Sequence, residues 1–226
     1  MDTGLKSFLQ KISLKPVKVN SIEEIALSVF VISFDRKHDF LAGQVLAIST
    51  NADIPPRLYS ICSGPEDSEM SILFSEKPDG LLTPRLADLK SGDELLASAP
   101  FGAFLGDDKP AWWIASGTGI APFRSMIRAG LGNKNKLIHG GRTADSFYFS
   151  EEMTSLFSNR YVRCCSQESA DGLYNGRLTQ WLKDQRQIPL DQMYYLCGSA
   201  EMVVEVRDIL VNKGVTIDHI MSEIYF

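Results

Sequence analysis

Apolar residues follow two different rhythms along the chain. In the first half they gather in short runs at 14–20, 25–34, 43–50, 57–63, 70–76 and 94–99, rich in Val, Ile, Leu and aromatics. Pro, Gly, Asp and Asn punctuate these runs at 51–56, 64–67 and 91–93, where such residues favour turns. Six short strands at this spacing predict an antiparallel six-stranded β-barrel or a sandwich, of which the barrel is taken here. Leu81, Leu82, Leu86 and Leu89 recur at helical spacing and predict a short helix over 81–89.

From Ala111 the rhythm becomes strand–helix alternation. Apolar runs at 111–116, 136–139, 160–166 and 193–197 alternate with helical patterns at 122–131, 151–158, 177–185 and 200–213. Ser150 and Ser199 stand at N-cap positions with Glu in the following turn, and Gly214 stands at the C′ position of the last helix. Repeated βα units predict an α/β doubly wound parallel sheet with helices on both faces. The Gly-, Asp- and Pro-containing stretch 102–110 is the expected boundary, dividing the chain into a barrel domain, 1–107, and an α/β domain, 108–226.

Composition narrows the function classes. At 44% hydrophobic and 23% charged residues the 226-residue chain reads as ordinary globular protein, long enough to bury a core without disulfide or metal. Cys62, Cys164, Cys165 and Cys197 lack C-x-x-C spacing, and His38, His139 and His219 are scattered, so no metal site is expected. No apolar run reaches about 18 residues, and Met1-Asp2-Thr3-Gly4-Leu5-Lys6 has no secretory character, so a cytoplasmic setting without membrane contact is expected. A net charge of −5 argues against nucleic acid as partner. The charge is uneven, with 10 basic and 15 acidic residues over 1–107 against 13 of each over 108–226.

Four motifs carry candidate chemistry. Ser116-Gly117-Thr118-Gly119-Ile120-Ala121-Pro122 follows a predicted strand and opens a helix; glycines there admit a diphosphate to backbone N–H groups, although tight βα turns also use Gly for packing. Arg57-Leu58-Tyr59-Ser60 lies on a predicted strand whose alternation puts Arg57 and Tyr59 on one face. An Arg fork suits phosphate and a Tyr ring suits a flat aromatic partner, while the plainer reading is a half-exposed strand. Pro78-Asp79-Gly80-Leu81-Leu82-Thr83-Pro84 leads into the short helix, with Thr83 either capping it or helping to hold an anion. Cys197-Gly198-Ser199-Ala200-Glu201-Met202 sits where a strand ends and a helix begins, the side on which doubly wound sheets bind ligands. The chain ends Glu223-Ile224-Tyr225-Phe226, aromatics that either complete a strand or cover something flat. Cys164 and Cys165 are adjacent and therefore point to opposite faces of a strand, and Trp112, Trp113 and Trp181 are expected in the core.

In this order, and together with Phe40-Leu41-Ala42-Gly43-Gln44, these motifs make the chain resemble the ferredoxin–NADP⁺ reductase family, in particular its bacterial ferredoxin/flavodoxin reductases. The resemblance implies FAD and NADPH, with NADH possible, as the redox cofactor and the reductant. It implies that Arg57, Leu58, Tyr59 and Ser60, with Gly80, Leu81, Leu82, Thr83 and Thr118, hold FAD. Tyr225 would cover the other flavin face, with Phe226 beside it or on the adenine. Gly117, Thr118, Gly119, Arg142, Ser166, Arg177, Cys197, Gly198 and Met202 would receive NADP, and Ser60, Cys197, Glu223 and Tyr225 would line the hydride-transfer position.

Ser166-Gln167-Glu168 departs from the family's usual Ser-Arg-Glu and weakens the expectation of NADPH over NADH. The implied partner is a small acidic ferredoxin or flavodoxin, with Lys6, Lys11, Lys15 and Lys18 as a candidate docking patch on a monomer or weak oligomer. Two other readings stand beside it. One is a reductase component serving an oxygenase or free flavin; the other is a non-catalytic flavin- or nucleotide-binding redox sensor.

Overall fold

The computed structural model describes residues 12–225. The chain divides into two compact units, one running to Leu105 and including Arg124–Ala129, the other formed by Gly106–Phe123 and Gly130–Phe226. Of the residues singled out in the sequence, Lys6, Lys11 and Phe226 lie outside the described residues, as does the side chain of Tyr225.

The first unit is an antiparallel sheet of β1 (Lys15–Ala26), β2 (Val29–Asp35), β3 (Val45–Ser49), β4 (Arg57–Ser60), β5 (Glu69–Ser75) and β6 (Glu94–Ala97), in the order β4-β3-β6-β1-β2-β5. An Ile61–Ile72 bridge and a 2.8 Å bond from Cys62 N–H to the Ser71 carbonyl join the two ends and close the barrel. Its interior is filled by inward residues such as Val19, Ile32, Phe34, Leu46, Ile48, Ile72 and Leu95, with Leu86 of the short helix α1 (Thr83–Ala87) buried in the same core.

The strand expected over 25–34 is instead split by a hairpin. β1 continues to Ala26 through the polar stretch Ser21-Ile22-Glu23-Glu24, and the chain reverses at Leu27-Ser28, where Ser28 takes φ 56° and donates its N–H to Glu24 Oε1 at 2.8 Å. Polar residues disguised this half of β1 because it is largely solvated and alternates little.

In the second unit β7 (Ala111–Ser116), β8 (Lys136–Gly141), β9 (Tyr161–Cys165), β10 (Tyr174–Asn175), β11 (Met193–Ser199) and β12 (Ile220–Tyr225) form a wholly parallel sheet in the order β10-β9-β8-β7-β11-β12. Adjacent tryptophans in β7 serve opposite faces. Trp113 stacks on Phe123 of α2 (Ala121–Arg128) at 5.3 Å and meets Phe157 of α3 (Ser150–Phe157) edge-on at 6.0 Å. Trp112 packs against Trp181 of α4 (Leu178–Asp184) at 6.0 Å, beside Val203, Val206 and Leu210 of α5 (Ala200–Asn212). Helices therefore cover both faces, as the alternation requires.

The expected caps differ in outcome. Ser199 caps α5 by accepting the Met202 N–H at 3.3 Å, and Gly214 ends that helix at φ 99°. Ser150 does not cap α3: it is the first helical residue, and Phe149 at φ 58° precedes it without a side-chain cap. Thr83 does not cap α1 either, because its hydroxyl oxygen is taken by the Lys77 N–H at 2.8 Å.

Candidate functional site

The winding of the parallel sheet reverses between β7 and β11, since β8, β9 and β10 lie to one side and β12 to the other. At such a point the segments leaving two neighbouring strand ends diverge and open a crevice. Cys197 is in register with Ala115, so Ser116-Gly117 and Gly198-Ser199 emerge side by side. The Ser116 hydroxyl oxygen accepts the Ser199 N–H at 3.2 Å. Gly119 is fully covered by the end of β11, and a Cβ there would overlap the Cys197 carbonyl. Only glycine lets these backbones meet.

Gly117–Ile120 winds a 3₁₀ turn into α2. Gly117 sits at φ 52°, and a Cβ placed on it would touch nothing within 4 Å. The loop thus leaves open space at Gly117 just before a helix N-terminus, a position that fits a diphosphate. Met202 is 7% exposed and holds its N–H on the Ser199 cap, so it shapes the wall of the β11 end. Glu223, half-buried in β12, is the register partner of Cys197, and the Cys197 thiol donates to Glu223 Oε2 at 3.9 Å. Tyr225 follows at the end of β12, its backbone paired with Ser199. Ser60, expected with Cys197 and Glu223, belongs to the other unit.

The loops after β8 and β9 interlock. The Gly141 carbonyl accepts from both the N–H (3.1 Å) and the hydroxyl (3.3 Å) of Ser166, and the Arg142 carbonyl accepts from Gln167 N–H at 2.9 Å and the Cys165 thiol at 3.2 Å. Arg142 is exposed, whereas the exposed Arg177 guanidinium already lies 3.3 Å from Glu201. Glu168 accepts the Ala144 N–H at 2.7 Å, placing a carboxylate beside these loops. Burial pushes the Cys164 thiol up to about 12, which keeps it protonated and inert.

His139 was the residue sequence reasoning undervalued. It is completely buried in β8, with Nε2 3.2 Å from the Gly117 carbonyl and Nδ1 3.1 Å from the Tyr161 hydroxyl. Burial lowers its pKa to about 4 against the opposing effect of the Gly117 bond. Its place at the end of the apolar run 136–139 was the one available signal.

In the first unit, β4 is laddered to β3, and beyond its end the Ile61–Ile72 bridge and the Cys62–Ser71 bond reach β5. Arg57 is exposed, Leu58 and Tyr59 are half-buried, and Ser60 is buried. The Tyr59 ring packs edge-on against Phe74 at 6.3 Å, and burial raises its phenol pKa, so it stays neutral. An exposed guanidinium and a half-covered ring two residues apart fit a phosphate and an aromatic system on one strand face.

Gly80 donates to the Lys77 carbonyl at 2.7 Å, Leu81 is exposed, and Leu82 is buried, anchoring the turn. Two arginines missed in the sequence brace the end of β4: Arg124 donates to the Cys62 carbonyl at 3.2 Å, and Arg128 grips Asp67 through two 2.8 Å bonds. The Arg128 bonds hold the Asp67 carboxyl below its usual range, helped by the Gly64 N–H.

Comparison with known proteins places the fold among reductases. Residues 113–208 match the oxidoreductase NAD-binding domain family. The chain is 29% identical over 192 residues to the flavodoxin/ferredoxin–NADP reductase of Escherichia coli K12, covering 74% of this chain and 77% of that protein. The chain resembles the ferredoxin–NADP reductases.

A ferredoxin–NADP reductase of Neisseria gonorrhoeae, solved with bound FAD and NADP, superposes with a TM-score of 0.85 at 20% identity, over 94% of this chain and 99% of that one. The toluate 1,2-dioxygenase electron transfer component of Pseudomonas putida is 28% identical over 214 residues, covering 90% of this chain. This chain spans 63% of that relative's length. A barrel followed by a doubly wound sheet is thus shared by ferredoxin–NADP reductases and this chain. Among the described residues no helix is long and apolar enough to cross a membrane.

Proposed function

We propose that this chain is a flavin-dependent reductase that carries electrons from NADPH, through FAD, to a ferredoxin or flavodoxin. The observation that carries the proposal is the meeting of β7 and β11 at the switch point, where Gly117–Gly119, Cys197 and Glu223 come together with open space at Gly117. Bound FAD supplies the conversion of a two-electron hydride into single electrons. The chain's residues bind, orient and shield.

On the barrel, Arg57 neutralises diphosphate charge, Tyr59 offers its ring as a platform, Ser60 stands at the strand end, and Gly80, Leu81, Leu82 and Thr83 form the second support. On the parallel sheet, the loop Gly117–Gly119 receives the nucleotide diphosphate, with Gly198 and Met202 forming the adjoining wall. The buried Cys197 thiol donates to Glu223 Oε2, so the two side chains stand together at the ends of β11 and β12, where the carboxylate would take part in proton transfer. Tyr225, last residue of β12, would be the ring that covers the flavin in this reading. Arg142 is the cation offered to a 2′-phosphate, and NADPH is favoured over NADH on that basis.

The test is direct. Protein reconstituted with FAD should be yellow and should bleach when NADPH is added without oxygen. A chain that stays colourless with FAD and FMN overturns the reading.

The similarity to an oxygenase electron transfer component favours a second reading, in which the acceptor is an oxygenase's own carrier. Comparing kcat/KM for a ferredoxin, a flavodoxin and such a carrier separates the two.

A further inference from the structure

We propose that His139, backed by Tyr161, is a positioning residue that sets the direction of the nucleotide loop by pinning the Gly117 carbonyl. The inference rests on the nucleotide-binding reading above.

Its ground is a pair of hydrogen bonds that can run in one sense only. A carbonyl oxygen accepts and never donates, so the 3.2 Å contact with Gly117 requires a proton on His139 Nε2. The neutral ring then has a lone pair at Nδ1, and the Tyr161 hydroxyl must donate to it across 3.1 Å. Phe147 meets the imidazole edge-on at 5.4 Å, and the Tyr161 ring lies 6.4 Å away, inclined by only 26°. The ring is fully buried and cannot swing without breaking both bonds.

Gly117 opens the 3₁₀ turn, and the imidazole adds a hold on its carbonyl from outside that turn. At φ 52° it occupies a region that glycine leaves at little cost, and nothing lies near its missing side chain to hold it. The peptide linking Gly117 to Thr118 is planar and trans. Its N–H therefore points opposite to its C=O. With the carbonyl held toward the buried imidazole, the Thr118 N–H is directed away from it. Without the imidazole this peptide would keep only the restraint of the 3₁₀ turn, and the donor set of the loop would be less organised before the diphosphate arrives.

The test compares His139→Leu, His139→Gln and Tyr161→Phe in the FAD-loaded protein. Calorimetric Kd for NADP⁺ is measured first, then KM and kcat for NADPH with ferricyanide. Loss of the bond should raise Kd and KM in the Leu variant about three- to tenfold with kcat within about twofold. Gln carries an amide N–H at a similar reach and should recover most of the affinity. Tyr161→Phe should produce a smaller shift in the same direction, and it keeps the test available if the Leu variant does not fold. Equal losses in the Leu and Gln variants, or a lowered melting temperature with unchanged Kd, overturn the proposal. If the unaltered chain neither binds NADP⁺ nor oxidises NADPH or NADH, this inference and the functional reading fall together.

Discussion

A single added methyl group distinguishes the residues that build the glycine loop from those that only occupy it. Gly119→Ala would push a Cβ into the Cys197 carbonyl, and backbone cannot yield as a side chain does. The variant should lose at least about 1–3 kcal/mol of stability and bind NADP⁺ weakly; melting and titration read both. His139 adds a pH signature. Unfolded, an imidazole takes up its proton near pH 6.5, but the folded ring resists until about 4. The unfolded state binds more protons in that window, so stability falls on acidification from about 6.5 and levels off below about 4, a change of about 3 kcal/mol. His139→Gln should flatten that part of a denaturation-against-pH curve.

At the neighbouring loops, Gln167→Arg should lower KM for NADPH several-fold and leave NADH unaltered, by offering phosphate a charge-assisted donor. The Gly-x-Gly loop and Cys197 were legible because backbone approach and strand ends leave residue-level marks. His139 was not, since one histidine in an apolar run looks the same whether it fills space or holds a carbonyl.

Elements were most legible where burial was complete. β7 and β11 read as strands because both faces are covered, leaving unbroken apolar runs. The solvated second half of β1 and the two-residue β10 carried no such pattern, and β12 was only one of two readings of the chain's ending. α2 taught the opposite lesson: its apolar stripe marked it as a helix, but its charged residues bind specific partners. Asp67→Asn should break the paired bonds to Arg128 and lower stability by about 1 kcal/mol at neutral pH. Because the native state holds Asp67 below its ordinary carboxylate pKa, its contribution is complete above about pH 4 and fades as pH drops through the depressed value. The wild-type and Asn curves should therefore converge in acid.

For the whole molecule, a net charge of −5 would by itself repel an acidic electron carrier. Over a screening length of about 8 Å at physiological salt, the local docking face matters more than the total. Lys15 and Lys18 are exposed on β1 and would supply it under the proposed function. The second-order rate of ferredoxin reduction should accordingly fall with added salt, and a flat or rising profile would remove these lysines from docking.

The first compact unit is assembled from two separate stretches of chain, since it claims Arg124–Ala129. Met126 is buried there, with its Cε 2.7 Å from where a Gly43 side chain would begin, and Arg124 and Arg128 brace Cys62 and Asp67. No one scissor point therefore yields a finished barrel: a fragment stopping at residue 105 would expose the bed that those six residues fill. Anyone grafting this barrel onto a different reductant module must bring the later segment along.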